Sequence, residues 1–225
     1  MVKYMELKNR AKVIFETGFN IAFRSKLISV PVIGSYMDVI YTESIQAIKD
    51  TAFQHSLEKL DEEKIDKGYL NSLEFLNLLV RTFKMALDEI ETDKIIYFSK
   101  LIKDSLESDE IGRRYNFDYI KTISELSVEQ MYILKELYIQ QKDIVGYSGD
   151  NFGNIILTKT SYKNLSKILD DKYSITKDEF EFLAKRTEAT GLIHEILYLD
   201  DEGNMGYVYA INTTLIKLME KLNIE

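Results

Sequence analysis

Thr176-Lys-Asp-Glu179-Phe-Glu-Phe-Leu183, then Gly191 and the run Ile193-His-Glu-Ile-Leu-Tyr-Leu199, decide how this chain is read. Thr176 and Glu179 stand at capping-box spacing and open a helix through Phe180, Leu183 and Thr187. Gly191 stops that helix, and the β-rich run after it reads as a strand. Asp200-Asp-Glu-Gly-Asn204 is a hairpin tip, and Tyr207, Tyr209 and Ile211 alternate as the returning strand. Working backwards, Tyr162, Leu165 and Leu169 mark a preceding helix, and Ile155 to Thr158 a short β-type run before it. Ser127-Val-Glu-Gln130 is a second capping box, followed by Met131, Leu134 and Tyr138 at helical spacing. Helix, strand, helix, helix and hairpin is the order of a winged helix. A generic α+β domain is the alternative for this half. Leu134, Leu165, Leu183 and Leu215 are expected in one C-terminal core.

The first 126 residues read as helix throughout. A mixed basic and apolar helix covers residues 3–24, and Val30-Pro31-Val32-Ile33-Gly34-Ser35 interrupts it. A long helix follows through Met37, Tyr41, Ile45, Ile48 and Ala52, ending in the charged run Glu58 to Lys67, with Gly68 as its stop. Leu76, Val80, Phe83 and Leu87 mark the next helix, and Ile95, Phe98, Ile102 and Leu106 another that opens at Thr92-Asp93. A polar break from Glu107 to Gly112 precedes a last helical segment, Tyr115 to Leu126. The expected fold is therefore mainly α. A helical bundle over 1–126 precedes a winged-helix-like α+β domain over 127–225.

Composition bounds the function classes. The hydrophobic share of 45%, with Tyr 15 and Phe 11, supplies a sizeable core, and a single proline favours long helices. No cysteine is present, which excludes disulfides, thiolate metal sites and cysteine nucleophiles. No secretory pattern opens the chain, and Leu27 to Met37 is shorter than the roughly 20 apolar residues a membrane span needs. A cytoplasmic location is the expectation.

Charge is unevenly placed. Net charge is -8, yet Lys3, Lys8, Arg10, Lys12, Arg24 and Lys26 outweigh Glu6 and Glu16 at the N-terminus. A basic helix on an acidic body either touches phosphate or an anionic membrane, or packs on the protein's own acidic helices. Packing on its own helices is expected.

Pro31-Val-Ile-Gly34, the long acidic helix, Leu70-Asn-Ser-Leu-Glu-Phe75 and Leu126-Ser-Val-Glu129 at the start of the expected winged helix follow one another along the chain. In that order they resemble a group of bacterial and phage-encoded proteins, some associated with abortive infection or superinfection exclusion, although Leu70 to Phe75 departs slightly from that group's Leu-x-x-x-Glu-Phe. The resemblance spans most of the chain and implies a setting of phage–host conflict. It carries over no catalytic residue.

Chemistry-bearing motifs are few. His55 and His194 lack a second ligand at metal spacing. Gly146-Tyr-Ser-Gly-Asp-Asn-Phe-Gly153 runs into a strand and holds Asp150, so it reads as a connection and not a phosphate cradle. Asp61-Glu-Glu63, Asp170-Asp171 and Asp200-Asp-Glu202 sit at helix ends or a turn tip and read as solvated charge. No catalytic residue, cofactor or metal is assigned, and the chain reads as non-enzymatic.

Nucleic acid is the rival partner. A winged helix that reads DNA needs Lys and Arg to neutralise phosphates. Here Lys177, Lys185 and Arg186 on the third helix stand among Asp178, Glu179, Glu181 and Glu188, and the wing tip is acidic. A local basic patch, Lys159, Lys163 and Lys167, remains on the second helix. Arg113, Arg114 and Tyr115, within Gly112-Arg-Arg-Tyr-Asn-Phe-Asp-Tyr119, mix cations with aromatics as contact surfaces do. An amphipathic connector that buries Tyr115 and Tyr119 is an equal alternative for this stretch. The leading reading is a protein-interaction protein of adaptor or regulatory type whose winged helix docks protein. The alternatives are a winged-helix transcription regulator that binds DNA and a membrane-acting exclusion factor.

Overall fold

A computed structural model describes residues 2–29, 50, 63–88, 92–141, 159–199 and 205–224. The chain is mainly helical with one small antiparallel sheet near its C-terminus. It divides into two compact units, Met1–Ser124 and Glu125–Glu225. The expected turn at Val30 to Met37, most of the long helix after it, the run Ile155 to Thr158, the glycine loop and the acidic hairpin tip lie outside the described residues.

The first unit begins with α1 (Val2–Ser29), longer at both ends than the 3–24 expected. α2 (Lys67–Leu70) and α3 (Leu73–Asp88) follow, then α4 (Thr92–Glu107) and α5 (Glu110–Glu125). α1 packs on α3 through an aromatic cluster. Phe15 meets Phe75 at 5.9 Å and Phe83 at 6.3 Å, and Phe19 meets Phe83 edge-on at 5.4 Å. Tilted and edge-to-face rings at these separations add to the burial term. Gly18 lets the helices close, since a Cβ there would stand 3.0 Å from the Leu79 side chain.

The stripe of α3 differs from expectation. Its buried residues are Phe75, Leu78, Leu79, Thr82, Phe83 and Ala86. Leu76, Val80 and Leu87 are only partly covered. Each lies one position beyond a buried residue, about 100° round the helix, at the flank of the packed face. On α4, Ile95, Phe98, Ile102 and Leu106 are all buried, as their spacing implies.

Two expected breaks are also corrected. Gly68 does not stop a helix. It sits inside α2, whose first turn is capped when the Asp66 carboxylate accepts the amides of Gly68 (2.9 Å) and Tyr69 (3.0 Å). The polar break before α5 is shorter than Glu107 to Gly112, because Asp109 accepts the Gly112 amide at 2.8 Å and the helix starts at Glu110.

Most of the long acidic helix lies outside the described residues. The basic α1 packs on the protein's own α3, through Ala11, Phe15, Gly18, Phe19 and Ala22, while Arg10, Lys12 and Arg24 are exposed. Val13 (60%) and Ile21 (44%) are exposed among them.

The second unit is arranged around α6 (Val128–Gln141), opened by the Ser127–Gln130 capping box. α6 packs against α7 (Lys159–Tyr173), α8 (Lys177–Glu188), β2 (Met205–Ile211) and α9 (Thr213–Lys221). Leu134 and Leu137 are buried, and so are the polar Gln130, Glu136 and Gln141. Each polar side chain reaches a different neighbour. Gln130 donates to the Thr187 hydroxyl of α8 at 2.9 Å. Glu136 accepts from Lys172 at 3.0 Å and from the Tyr173 hydroxyl of α7 at 2.9 Å. The Gln141 amide donates to Tyr209 O and accepts from Ile211 N, both at 3.0 Å, and so pairs with β2 as a short strand would. Buried polar groups satisfied in this way fix which neighbour sits where.

α8 carries the expected Thr176–Glu179 capping box in full. Gly191, with φ of 71°, takes the left-handed turn that leads into β1 (Ile193–Leu199). β1 and β2 form an antiparallel hairpin in the register Ile193↔Ile211 to Leu199↔Met205. Leu134, Leu165 and Leu215 are buried as expected, but Leu183 is only partly so. The inward positions of α8 are Phe180, Ala184 and Thr187, and Phe180 meets Tyr209 edge-on at 5.9 Å. The larger Leu183 outweighs Ala184 as an apolar signal, yet Ala184 holds the inward position.

Candidate functional site

α5 brings cations and aromatics to the surface of the first unit. Arg113 is anchored three ways. Its guanidinium lies 3.8 Å from the centre of the Tyr69 ring, pairs with Asp66 at 2.5 Å, and bonds Ser105 O at 3.4 Å. Its side chain is 13% exposed. The α2 backbone amide of Tyr69, and then Arg113, hold the Asp66 carboxyl below the usual carboxylate range. Burial, reinforced by Glu74, pushes the Tyr69 hydroxyl up to about 12 against the pull of Arg113, so the ring stays neutral beneath the guanidinium.

Beside this anchor is a groove of about 490 Å³ between α2–α3 and α5, within the size range of ligand sites. Tyr69, Leu78 and Phe117 give its apolar surface, and Arg81, Arg113 and Arg114 its cations, with Glu74, Asn77 and Asp118 also lining it. The cations are unequal. Arg113 is held by Asp66, and Arg114 is paired with Glu110 at 2.5 Å. Arg81 lies 5.3 Å from the Phe117 ring centre and pairs with no carboxylate among the described residues.

Tyr115, expected on a contact surface with Arg113 and Arg114, is half-exposed and stacks on Tyr119 at 6.3 Å, outside the groove. Tyr119 is buried, and its hydroxyl is pushed up by that burial, then by Tyr115 and Asp118. Phe117 and Asp118 belong to the same stretch that sequence reading singled out. Arg81, Glu74 and Asn77 were missed, because their only signal is a place on a helix whose stripe was set one position off.

The second unit presents a different surface. Lys159, Lys163 and Lys167 recur every four residues along α7, and Lys167 is exposed. On α8, Lys177 pairs with Glu181 at 3.6 Å and Lys185 with Glu195 at 2.5 Å. Arg186 lies 5.9 Å from the ring centre of Phe182, which is 63% exposed. Among the described residues no three His, Asp or Glu side chains gather as a metal site.

No family profile, curated protein or solved structure matches this chain. Among the described residues, no helix is long and apolar enough to cross a membrane.

Proposed function

We propose that this chain is a non-enzymatic, cytoplasmic protein-interaction protein of adaptor or regulatory type. Its C-terminal unit is a winged helix that docks protein and not DNA. The order α6, α7, α8 and hairpin supports the winged-helix reading, with α8 in the place of the helix that enters the major groove in DNA-binding members of that class. The observation that carries the proposal is the outer face of α8. Two of its cations are tied to carboxylates, the third stacks on an aromatic ring, and a phenylalanine 63% exposed stands where phosphates would need charge. An exposed aromatic beside arginine is the composition of a protein contact. The setting is phage–host conflict, as the resemblance implies. The test is affinity capture from source-cell lysate, infected and uninfected, with wild type and Phe182→Ser. A protein retained by wild type and lost with Phe182→Ser supports the reading. Identical captures, or retention abolished by nuclease, count against it.

A second reading, contact with an anionic membrane, is favoured by α1, where Val13 and Ile21 are exposed among Arg10, Lys12 and Arg24. Apolar insertion and cationic attraction act together at such an interface. Co-flotation with phosphatidylserine vesicles, lost on Ile21→Asp without loss of folding, would place this reading first.

A further inference from the structure

We infer that the groove between α2–α3 and α5 binds a short peptide segment of a partner protein, one that carries a carboxylate next to an apolar side chain and a basic residue nearby. The inference rests on the interaction reading only in taking the partner to be protein. Its site is separate from the α8 face.

Arg81 lies over the Phe117 ring and has no carboxylate partner among the described residues. A guanidinium with no carboxylate partner keeps its donor fork open, and that fork matches a carboxylate with two parallel bonds. Arg113 competes little for an anion, being largely covered and held by Asp66, while the exposed Arg114 is shared with Glu110 on its own helix. Beside Arg81, Leu78 and Phe117 offer apolar surface to a side chain attached near that carboxylate. The Asn77 amide, both donor and acceptor, suits a peptide backbone.

The remaining groups exclude polyanions. Glu74 and Asp118 line the same groove and are exposed, and among its described cations Arg81 alone has no carboxylate partner. A phosphoryl group or a nucleic-acid backbone would bring charge that these carboxylates repel. A peptide with one acid and one base satisfies both signs, with its cation on Glu74 or Asp118.

The test uses the full chain and a fluorescein-labelled pentapeptide with blocked termini, Lys-Ala-Phe-Glu-Ala, read by fluorescence anisotropy. The expected result is saturable binding that weakens about tenfold or more when the peptide's Glu is replaced by Gln, as loss of a charge-assisted pair implies. Arg81→Met, which keeps the length of the stem over Phe117, should lose as much. Arg81→Lys should recover only part of it, because the ammonium lacks the fork. Denaturation midpoints equal to wild type establish that the variants fold. Phe182→Ser should leave peptide binding unchanged, so failure here and failure of the α8 reading are told apart. The inference is overturned if the peptide does not bind, if Glu and Gln peptides bind alike, if Arg81→Met binds as wild type does, or if inorganic phosphate displaces the peptide at equal concentration.

Discussion

Two arginines stacked on aromatic rings show how the same pair of residue types serves two ends. Arg113 lies 3.8 Å from the Tyr69 ring centre, is bonded to Asp66 and Ser105, and is 13% exposed. Arg186 lies 5.9 Å from the Phe182 ring centre and has no carboxylate partner among the described residues. The first pair fastens α2 to α5. The second faces solvent and, among the described residues, ties no other element of its unit. Aromatic and cationic composition thus marks a contact surface only where the fold leaves the pair unspent.

The largest expected effect lies beneath the α8 face. Phe180→Ala should cost about 3–5 kcal/mol, since a fully buried aromatic leaves a cavity against Tyr209. Leu183→Ala, partly exposed, should cost clearly less, as denaturant midpoints will report. Equal losses would mean that α8 is rotated from the face described.

Next is the buried carboxylate of α6. Lys172→Met should destabilise by about 1–3 kcal/mol, because among the described residues Glu136 then keeps only the Tyr173 hydroxyl. An unchanged midpoint would show that Glu136 does not depend on Lys172.

The comparison itself is sharpened by paired substitutions. Arg113→Ala should lose about 1–2 kcal/mol through its desolvated ring contact, and Arg186→Ala under about 0.5 kcal/mol at its exposed one. Similar losses at both sites would erase the distinction drawn above.

The smallest effect is in acid. Asp66 and Glu179 are both held below the usual carboxylate range, Asp66 first by the Tyr69 amide and then by Arg113. Glu179 is held first by the Thr176 amide and then by its hydroxyl. Lowered values in the folded state mean that the unfolded chain takes up protons first as pH falls. Their contribution is therefore complete above the ordinary carboxylate range and is lost as pH falls from about 5 through the lowered values. Glu179→Gln should flatten part of that acid limb in midpoints measured against pH. An unaltered limb would show that the capping box carries no proton linkage.

Much of the second unit was legible in its residues. Thr176 and Glu179, Ser127 and Gln130, Gly191 and the alternation of Tyr209 and Ile211 each declare a local conformation, and the structure keeps all of them. What periodicity could not find was the inward face wherever a small or polar residue occupies it. Ala184 sits on α8 where Leu183 was expected. On α3 the cause differs: Leu73, Phe75, Leu76, Leu78, Leu79 and Val80 are all apolar, so spacing singles out no face, and Phe75 and Leu79 are buried where Leu76 and Val80 were expected. Gln130, Glu136 and Gln141 carry no apolar signal, yet they tie α6 to three neighbours. The groove was half legible. Arg113, Arg114, Phe117 and Asp118 lie in one conspicuous stretch, but Arg81 and Tyr69 join them only through tertiary packing.

The most direct measurement is fluorescence anisotropy of a labelled random duplex titrated with the full chain at low and near-physiological salt. With Lys177 and Lys185 on carboxylates and Arg186 over Phe182, the account expects no binding in the range of about 10⁻⁴–10⁻⁶ M shown by non-specific DNA binders, and no salt slope. Saturable binding at low micromolar protein that falls steeply with salt would contradict it and make α8 a DNA-reading helix.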